Sequence, residues 1–265
     1  MNAVGSARSG DWDHLSDWYD QKQGDVGDLW HRTLIDPPLL KIIGDCRGED
    51  ILDLGCGNGY LARKLARAGA RVTAVDSSIR MIKNARARDP KGFPKIRYVH
   101  TDASRLDEIA DASIDLVFAN MSLMNIKDAK GAIRAVTRVL KRGGRFVASI
   151  SHPCFDYGSK SGWIMEKSIG EPARVFRRIR AYRKPFSERI PWSAEGGKRK
   201  YTRAFHRPLS WYANALRTNK LAITRLEEPM PMQEFIEKER KKEGDLDAPG
   251  SLEVPLHLVF ETIKL

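Results

Sequence analysis

The chain has 265 residues, of which 42% are hydrophobic and 30% charged, and a net charge of +12 at pH 7, a composition that excludes a disordered protein. No apolar run reaches the roughly 18 residues of a membrane-spanning helix, the first ten residues lack the apolar segment of a signal peptide, and three cysteines are too few for a disulfide framework. We therefore expect a cytoplasmic protein with reduced thiols and no membrane partner and, because Cys-x-x-Cys pairs and histidine clusters are lacking, no metal site.

The first predicted elements are short helices. Residues 11–44 are expected to form an N-terminal lid, and Pro37 and Pro38 fit the first turn of a helix over 37–44, where proline is tolerated. From residue 50 onward, apolar runs alternate with segments of helical periodicity. The runs predict strands at 51–54, 71–76, 96–102, 113–120 and 145–151, and the periodic segments predict helices at 60–69, 78–89 and 128–144.

Apolar strands separated by helices are typical of a parallel sheet that is buried on both faces, so residues 50–151 are predicted to be the core of an α/β fold. The alternation stops over residues 152–207, which are rich in arginine, glycine, proline and aromatic residues. We interpret them as a cap inserted over the strand ends. Alternation resumes in residues 208–265, with a helix at 208–219, a strand at 221–229, a charged excursion at 230–250 and a last strand at 254–265.

The positive charge is concentrated in the cap. Residues 171–207 contain twelve Arg or Lys against three Glu, a local net charge of +9. The run 174–183 fits an amphipathic helix with a basic face, a nucleic-acid-binding stripe or a solvated surface. We favour the solvated surface, since most charge runs are of that kind.

A glycine-rich turn directly follows the first predicted strand. Gly55, Gly57 and Gly59 lack the Cβ that would prevent a sharp turn and the close approach of a ligand. Asp76 closes the next strand 21 positions after Gly55, about the separation at which a carboxylate accepts hydrogen bonds from a ribose. The third glycine comes one position earlier than in the dinucleotide pattern G-x-G-x-x-G. Asp53, ahead of the turn, would repel a pyrophosphate and attract an ammonium, which favours S-adenosylmethionine over NAD.

Five motifs in order resemble those of the class I S-adenosylmethionine-dependent methyltransferases. They span residues 50–151 and read ILDLGCGNG, VTAVDSS, YVHTDASRL, DLVFAN and KRGGRFVASIS. The resemblance implies an S-adenosylmethionine-dependent methyltransferase built as a single Rossmann-like α/β domain over residues 1–265. Its sheet would be doubly wound, mostly parallel and seven-stranded, with the last strand antiparallel and the cap between strand five and the following helix.

The resemblance also implies which residues contact S-adenosylmethionine. In that class the glycine turn holds the methionine part, the acids after strands two and three face the ribose and the adenine, and the turn after strand four lines the methyl-transfer mouth. The corresponding residues here are Asp53, Gly55, Cys56 and Gly57 for the methionine part, Asp76, Ser77 and Met81 for the nucleoside, Asp102 and Ala103 for adenine, and Asn120 at the mouth. The segments GDLWHRTLIDP and HRPLSWYANAL match a small-molecule branch more loosely, which adds Arg32 for the cofactor carboxylate and Tyr19 for closing over the cofactor.

His152 and His206 are candidate general bases, because a neutral imidazole accepts a proton near pH 7, although a lone histidine more often has a structural role. Arg207, next to His206, is a candidate for holding an acidic group of the substrate or a member of the solvated basic run. Cys56 is expected to contribute its backbone. Cys154 follows a proline, as does the nucleophile of cytosine-C5 methyltransferases, but it follows strand five rather than strand four, so we interpret it as a small buried hydrophobic residue.

The expected activity is methyl transfer to a small-molecule acceptor of aromatic or acidic character, held by residues 11–32 and 152–207. The alternative is a tRNA methyltransferase, which the basic segment 171–207 favours. Against it, Asn120–Leu123 after strand four lack the Asn/Asp-Pro-Pro-Tyr of amine-methylating nucleic-acid enzymes. A non-catalytic S-adenosylmethionine-binding regulator is a further alternative, and an NAD-dependent oxidoreductase is the last.

Overall fold

The computed structural model describes residues 12–166, 174–193, 199–230, 237 and 254–265. Its first helices are α1 (Ser16–Gln23) and α2 (Asp36–Ile43), and a π-helical turn, His31–Ile35, leads directly into α2. Pro37 and Pro38 lie in the first turn of α2, so the predicted helix over 37–44 is confirmed to within one residue. Residue 11, where the predicted lid begins, lies outside the described residues.

Strands and helices then alternate as predicted. The elements are β1 (Asp50–Leu54), α3 (Tyr60–Arg67), β2 (Arg71–Asp76), α4 (Ile79–Ala87), β3 (Arg97–His100), β4 (Ile114–Asn120), α5 (Ala129–Val139) and β5 (Leu140–Ser151). After the cap follow α6 (Leu209–Thr218), β10 (Leu221–Glu227) and β11 (His257–Lys264). Of the charged excursion predicted at 230–250, only Met230 and Glu237 belong to the described residues.

These seven strands form one sheet in the order β3-β2-β1-β4-β5-β11-β10. Strands β1 to β5 pair in parallel, whereas β11 is antiparallel to both β5 and β10. The predicted doubly wound, mostly parallel sheet with an antiparallel last strand is therefore confirmed. Because the parallel strands point the same way, the loops after β1, β2, β4 and β5 all leave from one edge of the sheet.

Both faces of the sheet are covered by helices. Neighbouring residues of a strand point to opposite faces, so Ile51 and Leu52 of β1 pack in different hydrophobic clusters. The cluster around Leu52 contains apolar residues of α5 and α6. The cluster around Ile51 contains apolar residues of α2, α3 and α4. This burial on two sides explains why the strands are apolar along most of their length.

The helix predicted at 128–144 is wrong over its last five residues. Helix α5 ends at Val139, and Leu140 begins β5, where it pairs with Ile114. The pairing register shifts before Arg145, and Gly143, with φ of +76°, lies in the shifted stretch. The Gly-Gly pair therefore forms a bulge within the strand instead of a turn after the helix.

The cap contains two antiparallel hairpins. Strand β6 (Ser161–Glu166) pairs with β7 (Arg174–Ile179), and β8 (Phe186–Ser193) pairs with β9 (Arg199–His206). The amphipathic helix considered for 174–183 is therefore wrong. Along β7 the side-chain exposure alternates with a period of two, and Arg177 turns inward over the ring of Trp163, with 4.8 Å between its guanidinium carbon and the ring centre. Cap residues 167–173 and 194–198 lie outside the described part of the chain, in which no helix has the length and apolar composition of a membrane span.

Candidate functional site

The glycine turn is fixed between two neighbouring strands. The backbone N–H groups of Gly55 and Cys56 both donate to the carbonyl oxygen of Val75 in β2, at 2.8 and 2.9 Å. Gly55 and Gly57 have positive φ values of +79° and +54°, which favour glycine. A Cβ at Gly55 would lie only 2.6 Å from the Cβ of Ser122, after β4. The turn thus forms a tight cradle whose shape a side chain at this position would destroy.

Asp76 connects this turn to the end of β2. One of its carboxylate oxygens accepts the N–H of Gly57 at 2.9 Å, and the other accepts the N–H of Ser78 at 2.8 Å. Burial raises the pKa of Asp76 to about 6, even though the two backbone hydrogen bonds favour the ionised form. A carboxylate oxygen has two lone pairs, so Asp76 can still accept a hydrogen bond from a ligand at each oxygen.

Asp53 is a buried carboxylate that lacks a hydrogen-bond partner among the described residues. It lies at the end of β1 with only 3% of its surface exposed. Burial, together with the charge of Asp76, raises the pKa of Asp53 well above its usual value. A buried carboxylate is stable when a cation or hydrogen-bond donor meets it. The ammonium of an amino acid, lying against the glycine cradle, is such a partner.

A buried polar network, which the sequence analysis did not predict, holds Asn120 at the end of β4. The Tyr60 hydroxyl donates to Asp36 at 2.9 Å, and the Asn120 amide donates to Asp36 and to the Tyr60 hydroxyl, both at 3.0 Å. The Ser149 hydroxyl donates to the Asn120 carbonyl oxygen at 2.6 Å. Burial raises the pKa of both Asp36 and Tyr60. Tyr60 follows the glycine turn directly, but nothing in the sequence indicates that Asp36 of the N-terminal segment would reach it.

Helix α1 lies across the glycine turn. A Cβ at Gly57 would be 3.5 Å from the ring of Tyr19, and Trp12 packs edge-on against that ring at 5.3 Å between ring centres. Burial, followed by the charges of nearby carboxylates that include Asp76, raises the pKa of Tyr19, so its hydroxyl stays protonated. The structure thus brings Tyr19 to the turn, as expected of a residue that closes over a cofactor.

The remaining predicted cofactor residues differ in their exposure. Met81 is buried in α4, Ser77 is exposed after β2, and Ala103 is half-buried after β3. Asp102 is exposed, and its carboxylate accepts the N–H and the hydroxyl of Ser104 at 2.8 and 2.7 Å, which is a turn-capping arrangement. Arg32 is exposed in the π-helical turn before α2.

The two histidines differ in what their ring nitrogens contact. Nδ1 of His152 accepts the N–H of Cys154 at 3.1 Å, and its Nε2 lies 2.9 Å from Glu228, so both nitrogens are engaged. His206 uses Nε2 to donate to the carbonyl oxygen of Tyr182 at 2.8 Å, and its Nδ1 has no partner in the described part of the chain. Burial lowers the pKa of both rings, so both are neutral near pH 7. The arrangement leaves Nδ1 of His206 able to accept a proton, whereas both ring nitrogens of His152 already have partners.

The two cysteines singled out in the sequence lie in different environments. Burial, followed by the charges of Asp53 and Asp76, raises the pKa of the Cys56 thiol well above its usual value, so the thiol stays protonated. Its backbone N–H belongs to the glycine turn, as expected. The interpretation of Cys154 as a buried hydrophobic residue is wrong: it is half-buried, and its sulfur lies 3.6 Å from the Tyr182 hydroxyl.

The strand order, the glycine turn after β1 and the acid at the end of β2 together define a class of protein. Residues 52–148 match the family model described as a methyltransferase domain. Residues 52–148 therefore form a methyltransferase domain, and the fold around them resembles that of the class I S-adenosylmethionine-dependent methyltransferases.

Individual relatives agree with this class. A demethylmenaquinone methyltransferase of Tropheryma whipplei (strain Twist) is 39% identical over 125 residues, which are 47% of this chain and 49% of that protein. A ubiquinone biosynthesis O-methyltransferase of Xanthomonas oryzae pv. oryzae (strain PXO99A) is 34% identical over 105 residues, 40% of this chain and 44% of that protein. The chain thus spans about half the length of the curated relatives it matches. An S-adenosylmethionine-dependent methyltransferase of Mesorhizobium loti superposes with a TM-score of 0.68 and 27% identity over 86% of this chain and 96% of that one.

Proposed function

We propose that this chain transfers the methyl group of S-adenosylmethionine to a small-molecule acceptor. The observation that carries the proposal is the glycine cradle tied to Asp76, beside the buried Asp53 carboxylate, which has no hydrogen-bond partner among the described residues. When bound, S-adenosylmethionine supplies a methyl group on a positively charged sulfur, which is already activated for attack. The protein therefore has to position the acceptor, exclude water and remove a proton where the attacking atom carries one.

The cofactor contacts belong to the same proposal. Asp53 would meet the ammonium of the cofactor and Asp76 its ribose hydroxyls, since a carboxylate accepts hydrogen bonds from both kinds of donor. Tyr19 would cover the ligand from α1, and Asn120 would border the reacting methyl group, held there by Asp36 and Tyr60. The remaining assignments are Ser77 and Met81 beside the nucleoside, Asp102 and Ala103 at adenine, Gly55, Cys56 and Gly57 in the cradle, and Arg32 for the carboxylate.

The acceptor would occupy the cavity between the cap and the carboxyl ends of β4 and β5. Its lining combines the apolar and aromatic side chains of Met124, Tyr157 and Tyr212 with polar and charged ones, which are Ser151, Asp156, Glu188, His206 and Arg207. Strands β1 and β5 flank β4, so this cavity lies roughly 10 Å, two strand spacings, from the glycine turn. The names of the relatives, which concern menaquinone and ubiquinone biosynthesis, support a small-molecule acceptor.

His206 is the residue that we assign to proton removal. It lines the same cavity, and its Nδ1 carries a lone pair because Nε2 donates to a backbone carbonyl oxygen. The stacked ring of Tyr157, 4.2 Å away between ring centres, holds the imidazole in place. His206 would thus take a proton from the acceptor as the new bond to the methyl carbon forms.

Calorimetry with S-adenosylhomocysteine and 5′-methylthioadenosine, which lacks the amino-acid part, tests the cofactor site. We expect Asp53→Asn to lower the affinity for S-adenosylhomocysteine at least about tenfold, roughly 1.4 kcal/mol, and to leave the affinity for 5′-methylthioadenosine unchanged. Asp76→Asn should lower the affinity for both ligands. If the wild type binds neither of these ligands, the proposal is overturned. If it binds NAD more tightly than S-adenosylhomocysteine, an oxidoreductase is favoured. Methyl release from labelled S-adenosylmethionine with a small-molecule extract would separate an enzyme from a regulator.

An RNA acceptor is the second candidate, because Arg189 and Arg203 lie directly opposite each other on the outer face of β8 and β9. Like charges in this arrangement repel, and a phosphate between them would relieve the repulsion. Arg189 also lies over the ring of Tyr201, at 4.2 Å from the ring centre. tRNA binding that weakens steeply with salt and is lost in the Arg189→Ser/Arg203→Ser double variant would replace the small-molecule acceptor by RNA.

A further inference from the structure

Arg207 is buried where the cap joins the core. It directly follows β9, and only 6% of its surface is exposed. Its Nη2 donates to the carbonyl oxygens of Ile126 and Lys127 at 2.7 and 3.0 Å. Its guanidinium carbon lies 5.3 Å from the ring centre of Phe205 and 4.9 Å from that of Trp211. These contacts hold the guanidinium in one orientation.

The charge of Arg207 is not compensated within the part of the chain that the structure describes. No ion pair joins it to an Asp or Glu there, and its Nη1 is buried without a hydrogen-bond partner. Removing a cation from water is costly unless a counterion or hydrogen-bond acceptors replace the water. The aromatic contacts offset only part of this cost. An anion beside Nη1 would complete the environment of the guanidinium.

Arg207 lines the proposed acceptor cavity together with Tyr157 and His206. The hydroxyl of Tyr157 is also buried and has no hydrogen-bond partner among the described residues. The walls of the cavity therefore contain two buried, unpaired donors among the described residues, a guanidinium N–H and a phenol O–H, and His206 lines the same cavity. Two donors of this kind match the oxygen atoms of one anionic group.

The two carboxylates that line the same cavity are engaged elsewhere. Asp156 accepts a hydrogen bond from Arg177 at 2.9 Å. Glu188 accepts the N–H and the hydroxyl of Ser159, at 3.1 and 2.7 Å. Neither acid therefore serves as the counterion of Arg207.

We propose that the acceptor carries a carboxylate or phosphate group that binds to Nη1 of Arg207 and to the hydroxyl of Tyr157, an inference that rests on the proposed methyltransferase function. This anion anchors the acceptor and is not the methylated atom, because a guanidinium contact withdraws electron density from an oxygen nucleophile. The anchor orients a second part of the acceptor, which carries the attacking atom, toward His206. The site thus selects anionic acceptors over neutral ones of the same shape.

Benzoate, phenyl phosphate and benzyl alcohol test this selection, since each carries a small group on one aromatic ring and they differ in charge. Each is titrated by calorimetry into protein saturated with S-adenosylhomocysteine. We expect at least one of the two anions to bind tenfold or more tightly than benzyl alcohol, and the tighter of the two identifies the anchoring group. Arg207→Gln should abolish the preference, Arg207→Lys should retain part of it, and Tyr157→Phe should weaken anion binding several-fold.

Arg178→Gln is the matched control, because Arg178 belongs to the same basic run but is exposed on β7, and it should leave the preference unchanged. S-adenosylhomocysteine binding, measured first, verifies the fold of each variant. Tyr157→Phe carries the test if Arg207→Gln fails to fold. Similar affinity for all three probes, no binding of either anion, or an equal effect of Arg178→Gln would overturn the anchor. Failure of the wild type to bind S-adenosylhomocysteine would instead overturn the methyltransferase proposal.

Discussion

At Asp76, the stability of the fold and the proposed binding of the cofactor ribose oppose each other. Its pKa in the folded chain is about 6, above the ordinary value of 3.8, mainly because the carboxylate is buried. The folded state therefore holds an extra proton between these pH values, and the stability that Asp76 contributes falls as the pH rises from about 3.8 to 6. Above pH 6 the ionised carboxylate costs stability in the free protein but offers its full set of acceptor lone pairs to a ribose.

The pH dependence of S-adenosylhomocysteine binding tests this role. We expect the affinity to fall by up to about tenfold per pH unit below pH 6, because a protonated Asp76 loses an acceptor, until the pKa of the complex is reached. Calorimetry between about pH 5 and pH 8 measures it. Asp76→Asn should bind weakly and lack this pH dependence. A wild-type affinity that stays constant below pH 6 would show that the carboxylate does not contact the ligand.

At the scale of elements, the Asp20 carboxylate connects α1 to the glycine turn and to the segment after α4. Asp20 of α1 forms an ion pair with Arg88 at 2.5 Å and accepts a hydrogen bond from the Asn58 amide at 3.1 Å. Asn58 belongs to the glycine turn, and it also donates to the carbonyl oxygen of Gly24 at 2.8 Å. The position of Tyr19 over Gly57 therefore depends on contacts made one residue further along the same helix.

Replacing Asp20 should loosen this cover. We expect Asp20→Ala to weaken S-adenosylhomocysteine about tenfold and to speed proteolytic cleavage within 12–24, because Arg88 and Asn58 lose a partly buried partner. Asp17→Ala is the matched control on the same helix, since Asp17 is exposed and pairs with Arg80 at 3.3 Å on the surface. An exposed pair of this kind contributes roughly 0–1 kcal/mol. Equal effects of the two variants would mean that α1 does not cover the ligand.

Elements whose signals are local could be predicted, and those fixed by distant contacts could not. The strands of residues 50–151 are apolar on both faces and the glycine turn is contiguous in sequence, so both follow from neighbouring residues. The run 174–183 mixes basic and apolar residues in a pattern that is compatible with a helix and with a strand. Its first part forms strand β7 because it pairs with β6, which the local sequence does not reveal. Likewise Tyr60 meets Asp36 and Asn120 across 24 and 60 positions of sequence, a distance at which no local pattern applies.

At the scale of the whole molecule, the proposed cofactor site and the proposed acceptor cavity lie at the ends of different strands of the sheet. The residues proposed to hold the methionine part and the ribose of the cofactor lie at the ends of β1 and β2, whose motifs could be identified in the sequence. The proposed acceptor cavity lies at the ends of β4 and β5 under the cap, where Tyr157 meets His206 and Arg207, about 50 positions later in the chain. The position of the acceptor depends on the shape of this cavity, and no short sequence pattern predicts the shape of a cavity. The class of the protein was therefore predictable, whereas the anionic anchor required the packed structure.

A cofactor that binds only the folded chain should stabilise the entire molecule. At a concentration one hundred times its dissociation constant, such a ligand adds about 2.7 kcal/mol to the free energy of unfolding. For a chain of this size, 1 kcal/mol shifts the melting temperature by roughly 2–4 °C, so S-adenosylhomocysteine should raise the Tm by about 5–10 °C in a thermal shift assay.

NAD at the same concentration should leave the Tm unchanged, because the third glycine of the turn comes one position earlier than in the dinucleotide pattern. The Asp53→Asn/Asp76→Asn double variant should lose the shift with S-adenosylhomocysteine, since its site lacks both anionic acceptors. Loss of the shift through general damage would instead appear as a lower Tm without ligand and a broadened transition. A larger shift with NAD than with S-adenosylhomocysteine in the wild type would mean that the turn binds a pyrophosphate in spite of its glycine spacing.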